Sequence, residues 1–96
     1  MNRADVLDSL ARNKPFLVTR YGVTDIALFG STARGTARAD SDIDILVSFD
    51  GPATSERYFG VQFFLEDLLG RPVDLVTDKA LRAELRPFVE NEAIHV

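Results

Sequence analysis

Asp42 and Asp44 stand two residues apart in this 96-residue chain, and their type and spacing invite chemistry before anything else does. Around them Ile43, Ile45, Val47 and Phe49 alternate with Asp42, Asp44, Leu46 and Ser48, the period of a strand with two unlike faces. Both carboxylates therefore project from one face. Held there they repel each other unless a cation lies between them, and oxygen ligands suit a hard divalent ion such as Mg2+. A solvated strand face carries the same pair. Asp74 adds a third carboxylate in Pro72-Val-Asp-Leu-Val76, where Val73 and Leu75 share the opposite face. If the two strands are neighbours, three carboxylates converge, the set that two-metal phosphoryl or nucleotidyl transfer needs. Alone, Asp74 also reads as a strand-end residue satisfied by a backbone amide or an arginine.

A second cluster lies upstream in Phe29-Gly-Ser-Thr-Ala-Arg-Gly35. A strand that ends in Gly30-Ser31 at a helix start offers free N–H groups and a hydroxyl to a phosphate. An ordinary turn with Ser31 as N-cap has the same residues. The turn follows one strand and the Asp pair opens the next, so phosphate donors and carboxylates would meet at one edge of a sheet.

The elements that must hold these groups can be read from periodicity and breakers. Val6, Leu7, Leu10 and Ala11 recur at helical spacing after Asn2, a plausible N-cap, and Pro15 is expected to interrupt that helix before a second piece reaching Tyr21. Gly22 ends it, and Val23–Phe29 is a strand. After the loop 36–41 and the Asp42 strand, Asp50-Gly51-Pro52 is a break. Thr54 or Ser55 then caps an apolar helix carrying Phe59, Phe63, Phe64, Leu65, Leu68 and Leu69, closed by Gly70. It reads as the main core helix, with Tyr58 or Phe64 available to face a partner. Asp78 is expected to cap a last helix with Leu81, Leu85 and Phe88 inward, and Ala93–Val96 is an edge strand or a tail. The order α-β-α-β-α-β-α indicates a mixed α/β domain, a small sheet backed by helices.

Composition limits the function. At 10.6 kDa, residues 1–96 form a single domain. With no cysteine, thiolate chemistry and cysteine-ligated metals are excluded, and the one histidine, His95, makes a multi-histidine site impossible. A net charge of −4 disfavours direct nucleic-acid binding. No apolar run is long enough for a signal peptide or membrane helix, so a cytoplasmic protein is expected.

Gly30-Ser31, ten residues, then Asp42-x-Asp44 resembles the signature of the DNA polymerase beta-type nucleotidyltransferases. The string from Leu28 to Val47, LFGSTARGTARADSDIDILV, resembles the minimal nucleotidyltransferase (MNT) subgroup, and the likeness covers nearly the whole chain. It implies an α/β (α+β) core: a small mixed sheet with helices on one face and the active site on the other. It also implies Gly30 and Ser31 on the phosphates of ATP, Asp42 and Asp44 bridging two Mg2+ ions, and Asp74 binding the catalytic ion and helping to deprotonate the acceptor. Arg34 matches the small-Arg-Gly part of the motif, as a neutraliser of triphosphate charge or as a brace for the loop. Arg38 reads as solvated surface.

Larger relatives carry a further helical domain that completes the cleft, which a second protein would have to supply here. In the MNT subgroup that partner is a helical HEPN ribonuclease toxin, forming a hetero-oligomer with the antitoxin, which transfers AMP from ATP to a tyrosine hydroxyl. Two other functions fit the residues less well. A binding module that only masks its partner does not require three carboxylates facing one cleft. Transfer to an RNA end or a small molecule lacks a basic surface and a second domain.

Overall fold

A computed structural model describes residues 2–96. Four strands, β1 (Val23–Phe29), β2 (Ile43–Phe49), β3 (Val73–Thr77) and β4 (Ile94–His95), form one sheet in the order β3-β2-β1-β4. β2 runs antiparallel to β1 and parallel to β3, while β4 runs antiparallel to β1, so the expected mixed sheet is present. The terminal segment is a strand, held by Lys14 Nζ donating to the Val96 carbonyl at 2.6 Å and by His95 Nδ1 lying 2.8 Å from Asp25 Oδ2.

Helix α1 (Arg3–Tyr21) starts in a capping box, with Asp5 N–H donating to Asn2 Oδ1 and the Asn2 N–H answered by the Asp5 carboxylate. It ends at Gly22 with φ 73°, the left-handed conformation for which glycine is suited. Pro15 does not interrupt it. Proline removes one donor to the carbonyl of Ala11, and both residues are exposed, where water can take that carbonyl's place.

Helix α3 (Ser55–Leu69), capped by Thr54, packs beside α1 on one face of the sheet. Val6, Leu10 and Leu17 of α1 and Val61, Leu65 and Leu69 of α3 meet Ile26, Leu28, Ile43, Ile45, Val47, Val73 and Leu75 in the main core. Gly60 lets the Tyr21 ring lie against the α3 backbone, since a Cβ there would run into the ring. Tyr58 and Phe64 are half-buried, Tyr58 through its hydroxyl on the Leu75 carbonyl and Phe64 stacked on Phe16. The exposed aromatics of α3 are instead Phe59 and Phe63.

The chain after β3 departs further from expectation. Thr77, not Asp78, caps a single 3-10 turn (Asp78–Ala80), and helix α4 (Arg86–Glu92) begins only after a further turn. The break in helical phase leaves Leu81 inward but Leu85 and Phe88 exposed. Val89 packs with Ala27 and Leu46 on the second face of the sheet, so α4 covers the part of that face away from the β3 edge.

Candidate active site

The short helix α2 (Gly30–Arg34) leaves the end of β1 directly, without a loop. Gly30 sits at φ 72°, and a Cβ at this position would be driven into the Asp44 carboxylate. The glycine is thus required twice, by its backbone conformation and by the close approach of an acidic side chain. The pairing of β1 with β2 produces that approach, since Phe29 is opposite Asp44. On the other side of β2, parallel pairing sets Asp44 level with Asp74. These residues share the second face of the sheet, opposite α1 and α3.

Asp42 lies one residue before β2, exposed, at the end of the loop 36–41. It is therefore at the mouth of the strand rather than within it. Arg71 fixes this approach, donating to the Arg38 carbonyl at 3.1 Å and to the Ser41 carbonyl, while Arg38 N–H donates to Ser41 Oγ. Arg38 is thus surface whose backbone is tied down.

Asp74 is held from α3. Glu66 accepts the Val73 N–H, Gln62 donates to the Val73 carbonyl and Tyr58 donates to the Leu75 carbonyl. Spaced by four, the three side chains form one stripe that occupies the outer edge of β3 and fixes the backbone on both sides of Asp74.

Asp44 carries the electrostatic signature of the site. Burial raises its pKa to about 6, helped by the charge of Asp74, a hydrogen bond shared with it and the charge of Asp42; Arg34 acts in the opposite direction. No ion pair among the described residues uses Asp42, Asp44 or Asp74. Neither an arginine nor a backbone amide there takes up Asp74. The carboxylates are not yet gathered into a closed three-ligand group among the described residues. An all-oxygen donor set with unbalanced negative charge nevertheless fits a hard divalent cation, with Asp42 exposed to solvent.

Glu92, the last residue of α4, went unnoticed in the sequence. Its Oε1 accepts the Gly30 N–H at 3.0 Å and its Oε2 the Arg34 Nη1 at 2.7 Å. Burial would raise its pKa, but Arg34 and the Gly30 N–H together hold it below the usual carboxylate value. Arg34 therefore braces the loop, with its outer donors facing solvent. Sixty-two residues separate Gly30 from Glu92, and the available signal was a glutamate two residues ahead of a segment able to pair with β1.

Residues 10–96 match the family described as nucleotidyltransferase domain. A protein adenylyltransferase, MntA, from Thermococcus cleftensis is 39% identical over 87 residues, covering 91% of this chain and 88% of that protein. The chain belongs to the nucleotidyltransferase family. Within that family it is a minimal nucleotidyltransferase. A solved chain provisionally assigned as a minimal nucleotidyltransferase superposes with a TM-score of 0.82 at 38% identity, covering 98% of this chain and 95% of that one. A chain of a toxin–antitoxin complex crystallised with AMP-PNP gives 0.70 at 26% identity, covering 99% of this chain and 72% of that one. Among the described residues no helix is long and apolar enough to cross a membrane.

Proposed function

We propose that this nucleotidyltransferase is the antitoxin of a toxin–antitoxin pair, transferring AMP from ATP to a hydroxyl, that of a tyrosine, on a helical HEPN ribonuclease toxin in the cytoplasm. The observation that carries the reading is the level placement of Asp44 and Asp74 against the Gly30 turn. It puts acidic ligands beside a phosphate-type turn on an open sheet face. The adenylyltransferase relative and the toxin–antitoxin neighbour with AMP-PNP support the donor and the kind of acceptor.

In this reading Asp42, Asp44 and Asp74 would together hold two Mg2+ ions, Asp42 and Asp44 serving both and Asp74 the one at the acceptor. When bound, the ions neutralise the triphosphate and favour ionisation of the acceptor hydroxyl. The protein's own groups do the rest. The Gly30–Ser31 turn takes the β- and γ-phosphates, Ser31 through its N–H and hydroxyl and Gly30 by allowing close backbone approach, since its own N–H is given to Glu92. This orients the α-phosphorus toward the carboxylates. Asp74 accepts the proton of the acceptor hydroxyl, whose oxygen attacks the α-phosphorus in line. The bond from that phosphorus to the bridging oxygen breaks, and pyrophosphate leaves along the Gly30–Ser31 turn.

The test adds wild type or Asp44→Asn to lysate from the native source with Mg2+ and ATP labelled on the α-phosphate, then resolves protein from nucleic acid. Label on one small protein with wild type alone is the expected result. Label in RNA would move the acceptor class. Equal labelling by a folded Asp44→Asn variant would end the proposal, and toxin neutralisation by an Asp42→Asn/Asp44→Asn double variant would favour masking.

A further inference from the structure

We infer that Glu92 is a positioning residue for the nucleotide, holding the Gly30 turn and the Arg34 guanidinium in their binding geometry before ATP arrives. This rests on the nucleotide-binding role proposed above for those two residues.

Three observations carry it. One carboxylate serves both groups, through separate oxygens: the Gly30 N–H at 3.0 Å and Arg34 Nη1 at 2.7 Å. Glu92 also approaches from the β4 side of β1, where Leu28 pairs with Ile94, whereas Asp44 approaches from the β2 side. It therefore steadies the turn without standing on the carboxylate side, where the substrate's reacting phosphorus belongs. Finally, Arg34 is half exposed and presents only Nη1 to Glu92, so its remaining donors are free for an anion.

The physical benefit is pre-organisation. A free arginine side chain would lose its rotamer freedom when it closed on a phosphate, a cost that weakens binding. Paired with Glu92, that freedom is already lost in the unliganded protein. The same carboxylate fixes Gly30, whose backbone lies so near Asp44 that a small shift of the turn would also move a proposed metal ligand. Because Glu92 ends α4, any movement of that helix is passed to the phosphate side of the site.

Simple electrostatics predicts the opposite sign. Removing a negative charge from beside a polyanion site should strengthen ATP binding, whereas removing a brace should weaken it. Calorimetric titration of ATP in Mg2+ buffer, with thermal melts of each variant, separates the two. Glu92→Ala is expected to weaken affinity about tenfold, the size of losing a charge-assisted hydrogen bond, and Glu92→Gln, which keeps one acceptor but turns the other into an NH2 donor, to recover only part of it. In an Arg34→Ala background the Glu92→Ala effect should shrink, because the two act as one unit; a merely structural defect would persist unchanged. Affinity equal to or above wild type in both Glu92 variants overturns the inference. Should Glu92→Ala melt too low to titrate, Arg34→Ala must itself show the about tenfold loss, and unchanged affinity there is equally fatal. Failure of the wild type to bind ATP at all would instead remove the nucleotide-binding role, and this inference with it.

Discussion

The two faces of the sheet are built from the same strands and put to different uses. On the α1/α3 face, Ile43, Ile45 and Val47 of β2 are buried among aliphatic side chains from both helices. On the other face Asp44 sits between neighbouring strands with an elevated pKa, and of the β2 residues there Leu46 alone is buried, in a smaller cluster with Ala27 and Val89. Alternation along one strand thus separates stability from chemistry at single-residue resolution. The apolar face gains free energy by excluding water, and the acidic face loses some by crowding carboxylates that want a cation. Consecutive residues of β2 should therefore respond to substitution with different sizes and opposite signs.

Ile45 should show the largest effect. It is fully buried in the main core, so Ile45→Ala removes three methyl or methylene groups and leaves a cavity that tightly packed neighbours cannot fill. A loss of about 3–4 kcal/mol is expected, a large fraction of the stability of a domain this small. Urea unfolding followed by circular dichroism would check it; a loss under about 1 kcal/mol would mean the helix-backed face is not where stability resides. Leu46, one residue on, is nearly as buried but belongs to a minor cluster with few partners. Leu46→Ala should cost about 2 kcal/mol, because a thin layer at the edge of α4 collapses more readily into the space. If the same unfolding series gave Leu46→Ala the greater loss, the ranking of the two faces would be reversed.

How far this contrast could be read in advance follows from the range of the interactions involved. Asp44 and Asp74 could be assigned to one face because a two-residue period assigns faces locally, and Gly30 to a turn because Gly-Ser breaks a strand, whereas Asp42 lies one residue before β2, where that period does not reach. Level pairing of Asp44 with Asp74 needed only the assumption that their strands are neighbours. Residues that act across the fold gave no such sign. Glu92 reaches Gly30 from the far end of the chain. Tyr58, Gln62 and Glu66 form a functional stripe only because β3 is an edge strand with open backbone groups. Leu81, Leu85 and Phe88 kept helical spacing, but the spacing misled, since no helix spans Leu81–Leu85 to give it meaning. Pro15 misled in the other direction, because an exposed helix face tolerates the lost hydrogen bond.

Asp44 should give the smallest change in stability, and one of reversed sign. Its carboxyl ionises near 3.8 in the unfolded chain but only near 6 in the fold, with burial and Asp74 as the main causes. Between these values the unfolded form releases its proton first. Without metal, this residue therefore makes the protein progressively less stable as pH rises from about 4 to 6, and the deficit persists above that range. Asn carries no charge and escapes the penalty. Asp44→Asn should match wild type near pH 3.5 and exceed it at pH 7.5 by about 1 kcal/mol, the full shift being reduced by the solvent that reaches this half-buried group. Thermal melts in chelator would register this as a rise of about 4–8 °C in Tm. Added Mg2+ should then narrow the gap by stabilising the wild type alone, since a ligand that binds only the folded state raises its stability. A variant less stable than wild type at pH 7.5 without metal would show that the carboxylates are already satisfied within the protein, and the acidic face would lose its claim to need a cation.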